Sequence, residues 1–388
     1  MRQRGAIGWL KHDITHRGIT AWALTVALGL FYLVLFFGDQ YHWVPDVWEW
    51  VAAWMGLPGK WHFYGLLYTL AVAIGGVYVM FKYSHNRYHL VRTSVIIFVQ
   101  ATLAFAIPLF MAIAEQPEYY FSYLWPLEIG DFYPENIGQH PLPIIMWAIV
   151  GALVITPLLG IFYGKRWYCS WVCGCGGLAN TAGEPFRHLS TKTTRSWKFE
   201  KWAVHLTLVL ALLVTAAVLA SWVVGGQHEQ LNSAAESLRS LYGFAFVTML
   251  SGIIGVVVYP IGGTRVWCRF FCPMAALLGL LQKFGRYRIT VKDDMCISCG
   301  LCTKYCEMGI DVRAYAQANQ DFVRAACVGC GICSEVCPRG VLRLENAAPR
   351  PFRKAIDEEW NEPDPQELTM SSLLSESYRD NNSRTGPL

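Results

Sequence analysis

Charged residues are scarce in this chain. They make up 15% of its 388 residues, against about 25% in soluble globular domains, so an ordinary soluble domain is excluded and a membrane protein is expected. Several enzyme signatures are missing as well. There is no Walker loop, no G-x-G-x-x-G after a strand and no H-x-x-E-H zinc-hydrolase pattern. The basic start M-R-Q-R-G-A-I-G-W-L-K-H leads into an apolar run with no small-residue cleavage site and enough length to span, so no cleavable signal peptide is expected. Histidine is sparse where a membrane haem would need axial pairs on facing helices. His205 alone lies well inside an expected span, while His62, His85, His89 and His188 fall near membrane surfaces. A b-type haem is therefore not expected, and His205 is expected to hydrogen-bond within the bundle, although an intramembrane polar group is a functional candidate by default.

Long apolar runs are what the chain does have. Six stretches, at about 19–37, 63–83, 93–114, 143–163, 202–224 and 243–261, approach or reach the roughly 20 residues needed to cross a hydrocarbon core. Lys and Arg divide 30 to 2 between alternate sets of connecting segments, the poor set (38–62, 115–142 and 225–242) holding only Lys60 and Arg239. The positive-inside rule then puts both termini in the cytoplasm. It also accounts for the basic segments, so nothing supports a nucleic-acid partner. The outer loops are acidic and crowded with aromatics, expected chiefly as an interfacial belt, with an external docking surface or the rim of a quinone pocket as the lesser reading.

Thirteen cysteines carry the chemistry. C-I-S-C-G-L-C-T-K-Y-C runs from Cys296 to Cys306, and C-V-G-C-G-I-C-S-E-V-C-P from Cys327 to Pro338. Each reads C-x2-C-x2-C-x3-C, the spacing that wraps a cubane iron–sulfur cluster while its fourth cysteine turns to the other cluster. Zinc would use four ligands in two pairs, and eight cysteines overshoot that. Two [4Fe–4S] clusters in a reducing compartment are expected.

Five further cysteines lie upstream. Gly164, Arg166, Cys169 and Cys173 recur as Gly263, Arg265, Cys268 and Cys272 at a constant offset of 99 residues, in G-K-R-W-Y-C-S-W-V-C-G-C and G-T-R-V-W-C-R-F-F-C-P. A C-x3-C pair on a helix sets two thiols on one face. One pair cannot complete a four-ligand site, but two can, so Cys169, Cys173, Cys268 and Cys272 are expected to share a third centre, a further [4Fe–4S] cluster. Inert buried thiols are the alternative, and disulfides or a redox relay are disfavoured in the cytoplasm. Arg166 and Arg265 either offset cluster charge or anchor the inner face. Cys175 is read as a small packed residue, with substitution for one of the four ligands as the other reading.

At these residues the chain resembles the polyferredoxin-like membrane iron–sulfur proteins of the NapH, NosR and CcoG type, over roughly 60–345. The resemblance implies a mainly α membrane protein: a six-helix transmembrane bundle at 19–261 with a cysteine loop at 164–201, following a cytoplasmic N-terminus at 1–18. The second cysteine motif and a linker at 262–289 lead to a cytoplasmic 2[4Fe–4S] ferredoxin-like (α+β) module at 290–345 and a polar tail at 346–388. Ferredoxin-type crossing assigns Cys296, Cys299, Cys302 and Cys337 to one cluster and Cys327, Cys330, Cys333 and Cys306 to the other. Such proteins pass electrons between the quinone pool and respiratory reductases or support metalloenzyme assembly. The expected role is membrane electron transfer in a bacterial inner membrane, with the lipid bilayer, quinone and other redox subunits as partners. A maturation or regulatory protein and a cluster-bearing anchor are the alternatives, and turnover as a quinol-oxidising subunit is left open. Gly174 stands where the family has proline, Glu307 where proline often follows the fourth cysteine, and no flavin signature is found, so no flavin is expected. Quinone chemistry needs a proton carrier, for which His85, His89, His188, Glu115 and Glu118 are candidates against the alternative of ordinary interfacial polar residues.

Overall fold

The computed structural model describes residues 5–38, 47–224, 229–292 and 294–346, so the expected tail lies outside the described residues from 347 onward. In chain order the bundle is built from α1 (Gly5–Thr15), α2 (Ile19–Phe37), α3 (Val47–Trp54), α4 (Lys60–Lys82), α5 (Arg87–Ile113), α6 (Leu142–Tyr163), α7 (Arg166–Cys169) and α8 (Gly174–Asn180). It continues with α9 (Thr194–Val223), α10 (Glu229–Val257), α11 (Val266–Phe270) and α12 (Pro273–Gln282). Among the described residues six helices, α2, α4, α5, α6, α9 and α10, are long and apolar enough to cross a membrane. Helices close their own backbone hydrogen bonds, which hydrocarbon requires. Their outward faces carry exposed Ile74, Phe98, Leu153 and Leu213, apolar surface suited to lipid.

Polar caps set two of the starts: Asn86 accepts from Tyr88 N at 2.9 Å before α5, and Thr193 Oγ1 from Ser196 N at 3.3 Å before α9. Several spans begin earlier than hydropathy suggested, α9 and α10 by the most. α9 starts at Thr194 rather than 202, and α10 at Glu229, so most of the expected 225–242 loop is helix. Apolarity marks only the part of a helix in hydrocarbon, and polar turns continue beyond it. Wide π turns interrupt α5 at Thr102–Ala106, α6 at Gly151–Ile155 and α10 at Gly243–Ile254; such turns are frequent at functional sites.

The segment between α5 and α6 overturns the expectation of an outer belt. It folds back into the bundle, with Tyr119, Ser122, Leu124, Ile129 and Tyr133 all buried. Tyr168 Oη secures it, donating to Ser122 O at 2.7 Å and accepting from Leu124 N at 3.2 Å. Trp125 Nε1 donates to Thr215 Oγ1 on α9 at 3.2 Å. Irregular backbone at membrane depth is tolerated where protein surrounds it or it lines a cavity, and here it does both.

The C-terminal module is closed by an antiparallel pair, β1 (Tyr287–Val291) and β2 (Leu342–Asn346), with Tyr287 opposite Asn346 and Val291 opposite Leu342. Between them lie α13 (Leu301–Lys304), α14 (Val312–Gln317) and α15 (Ile332–Glu335). The left-handed backbone at Ser298, Gly300 and Gly309 recurs 31 residues on at Gly329, Gly331 and Gly340. The two cysteine runs are therefore one loop design used twice.

The second run docks on the bundle. Gln282 accepts from Lys165 N at 2.7 Å and donates to Arg324 O at 2.9 Å and Cys327 O at 3.2 Å. Ser170 Oγ donates to Val328 O at 2.6 Å, Tyr88 Oη to Gly329 O at 2.8 Å, and Arg92 to Cys330 O. The first run packs by its end, where Tyr305 meets His188, and is open at its start, with Cys299 exposed. The bundle face carrying the module is the near face below, and the opposite one the far face.

Candidate iron–sulfur sites and an adjoining cavity

The upstream quartet is assembled by the 99-residue repeat. Gly164 (φ 68°) and Gly263 (φ 91°) both take left-handed conformations, which turn the chain from a spanning helix into α7 or α11. Cys169 ends α7 and Cys268 sits within α11, whereas Cys173 and Cys272 immediately precede α8 and α12. The expected continuous C-x3-C helix is thus broken in both copies. Pro273 opens α12, where its fixed φ suits a helix start and its missing N–H stops α11 from continuing.

All four thiols are buried, at 4–5% exposure, in one core cluster. Burial pushes Cys169 up to about 12, with Cys173 and Cys268 as neighbouring thiols, and raises Cys268 and Cys272 too. Cys173 is lowered, chiefly by a hydrogen bond from Cys175. Cys175 packs, half-buried, against the core that holds the quartet. The two repeat arginines differ in role. Arg265 is buried, donates to Cys169 O at 3.0 Å and lies 3.8 Å from Cys268 Sγ. Arg166 instead bonds Asn346 Oδ1 at 2.8 Å and stacks 4.8 Å over Tyr287.

In the module, one small cavity is lined by Cys296, Cys299, Cys302 and Cys337, and a second by Cys306, Cys327, Cys330 and Cys333. The fourth cysteine of each run is thus brought to the other run's loop. Among the described residues no His, Cys, Asp and Glu side chains group tightly enough to hold a single metal ion; the thiols ring spaces instead.

Glu307 links the second module site to the quartet. It is buried, with Oε2 3.0 Å from Arg187 Nη1 and Oε1 3.2 Å from Arg265 Nε. Burial would raise its carboxyl, but Arg187, Arg265 and Arg92 hold it below the usual range. Position 307 thus carries the anion shared by two buried arginines, where a proline could not.

A cavity of about 370 Å³ opens within the bundle. Cys175, Thr264, Trp267 and Cys268 line its near end, and Trp61 and His62 its far end. Tyr64, Tyr68, Gln100, Phe105, Tyr120, Tyr123 and Glu128 also face it. The cavity explains Gly174: a Cβ there would come within 2.9 Å of Tyr123 Oη and 3.4 Å of Gln100 Oε1, so a proline would crowd this wall.

Of the expected proton carriers, none lines the cavity, and Glu118 alone contacts its wall. His85 Nε2 lies 2.5 Å from Glu335 Oε1, His89 faces the same carboxylate at 3.9 Å, and His188 packs by His16 and Tyr305. Glu115 is exposed. Glu118 Oε1 lies 3.4 Å from His62 Nε2. His205 is exposed rather than bonded inside the bundle. Glu128, Tyr120 and Tyr123 were missed because their segment was read as an external loop. Its aromatic and apolar content between two acidic ends was the available signal.

Family comparisons agree with this arrangement. A 4Fe-4S dicluster domain model matches residues 289–344, and a 4Fe-4S binding domain model matches twice, at 140–193 and 244–292, one match on each copy of the repeat. The chain is 31% identical over 173 residues to the methylamine utilization ferredoxin-type protein MauN of Paracoccus denitrificans, covering 42% of this chain and 56% of that one. It is 27% identical over 177 residues to the ferredoxin-type protein NapH of Escherichia coli (44% and 57%) and 27% over 175 residues to the putative electron transport protein YccM of the same species (43% and 47%). The matched region spans about half the length of these curated relatives. No solved structure matches the chain. Fold and domains together define a multi-pass membrane protein carrying 4Fe–4S-binding domains. These matches support a likeness to the polyferredoxin-like membrane iron–sulfur proteins.

Proposed function

We propose that this chain carries electrons between a membrane quinone and redox partners at the near face, through three [4Fe–4S] clusters. Cys296, Cys299, Cys302 and Cys337 would hold the outermost, Cys306, Cys327, Cys330 and Cys333 the middle one, and Cys169, Cys173, Cys268 and Cys272 the one at the membrane. The donor sets fit: each module set is four thiols around a small space, the upstream four are buried together in one core, and none closes on one point as zinc ligands at about 2.3 Å would. Bound clusters supply one-electron transfer. The protein's own part is to bury the quartet, bridge it to the middle site through Arg265 and Glu307, and leave the outermost site reachable at exposed Cys299. The near face is read as cytoplasmic, a reading the charge bias supports, in a bacterial inner membrane.

The observation that carries the quinone link is the cavity. It lies among helices long and apolar enough to cross a membrane, carries eight aromatic side chains in its wall, and includes Cys268 of the quartet there. Its volume falls within the range of small-molecule sites. Anaerobic mixing of the oxidised, cluster-loaded protein with decylubiquinol or a menaquinol analogue is expected to bleach the clusters' visible absorbance rapidly. If neither quinol reduces the clusters, and neither quinone reoxidises them after dithionite reduction, the quinone reading is overturned.

A further inference from the structure

We propose that the cavity separates the products of quinol oxidation, passing electrons to the near face at Cys268 and protons to the far face through Glu118 and His62. This rests on the quinone reading above and adds the protons' direction and the residues that carry them.

The two ends of the cavity differ chemically. At the near end Thr264, Trp267 and Cys268 line it, and Gln100 commits its amide nitrogen to Val172 O at 3.3 Å. Among the described residues neither a carboxylate nor an imidazole lines that end. The lining's imidazole is His62, in the first turn of α4 at the far face, and its carboxylate is Glu128, on the re-entrant segment. His62 is 9% exposed, whereas the Glu118 side chain it faces is 35% exposed. Glu118 also accepts from the hydroxyl of cavity-lining Tyr120 at 3.3 Å. One carboxylate thus touches two groups of the cavity wall and reaches water beyond it. Glu128 adds a carboxylate within the wall itself.

The balance is complete. Both quinol O–H bonds break, leaving quinone. Two electrons would leave one at a time by the near end at Cys268, through whatever clusters the cysteines hold, to a one-electron acceptor at the near face. Two protons pass through His62 and Glu118 to far-face water.

The test uses the full chain, loaded with clusters, in sealed vesicles holding decylubiquinol and a trapped pH dye. Ferricyanide, which cannot cross the bilayer, is added outside and addresses only chains with the module outward; rates are corrected for protein-free vesicles. The lumen is expected to acidify as ferricyanide is reduced. Glu118→Gln is expected to lower kcat with little change in KM, leaving the dithionite-reduced cluster spectra unaltered. Tyr120→Phe, which removes one hydroxyl, serves if Glu118→Gln does not fold. Quinol oxidation with protons appearing outside would overturn the proposal and leave the quinone reading standing. Unchanged kcat in both variants would also overturn this exit. Absence of quinol oxidation in the unmodified chain would overturn both.

Discussion

Serine at both 169 and 268 is expected to leave the module's two clusters intact and beyond the reach of quinol. Both residues are buried in the core shared with Cys173 and Cys272, and Cys268 forms part of the cavity wall. Serine keeps the volume but replaces a soft thiolate donor with a hydroxyl, so a cluster there loses half its ligands. The module's sites draw their cysteines from 296–337 alone and should still give reduced-cluster spectra with dithionite. Quinol-driven bleaching should disappear. Were bleaching to persist at the unmodified rate, the electrons would bypass the quartet and the proposed order of centres would be wrong.

Loss of the Glu307 charge should produce the largest effect on stability. Its carboxylate compensates Arg187 and Arg265, all three side chains being at most 1% exposed. Removing one member of a buried ionic group costs about 3–5 kcal/mol, because the remaining charges stay desolvated and unpaired. Glu307→Gln is expected to destabilise the docked module by that order, measured as a lower denaturant midpoint for loss of cluster absorbance. Adding Arg187→Met should recover part of the loss, since one stranded cation is then gone. A cost below about 1 kcal/mol, in the range of an exposed pair, would mean that water reaches the triad. The same change removes the anion nearest Arg265, which touches both Cys169 O and Cys268 Sγ, so spectra of the quartet's centre should report it too.

Local spacing made much of this architecture legible. The two C-x2-C-x2-C-x3-C runs mark loops whose left-handed positions repeat, and the 99-residue offset marks two turns pivoting on Gly164 and Gly263. Apolar length located six spans, though not where their polar turns begin. The C-x3-C spacing fits a continuous helix and a break before a second helix equally well; only Pro273 hinted at the break, and Gly174 gave no sign of it. The re-entrant segment was hidden for another reason. Tyr, Trp and Glu at 115–141 suit an interfacial belt as well as a buried plug, and what decides is long-range contact such as Tyr168 with Ser122 and Leu124. The same holds for Glu307, whose partners are distant in sequence, and for the Glu118–His62 pair.

Everything proposed for the bundle depends on a centre at the quartet, which iron and acid-labile sulfide analysis addresses most directly. The purified, anaerobically reconstituted chain should contain about twelve irons, three cubanes' worth, falling to about eight when Cys169 and Cys268 are both replaced by serine. About eight irons in both proteins would contradict the account.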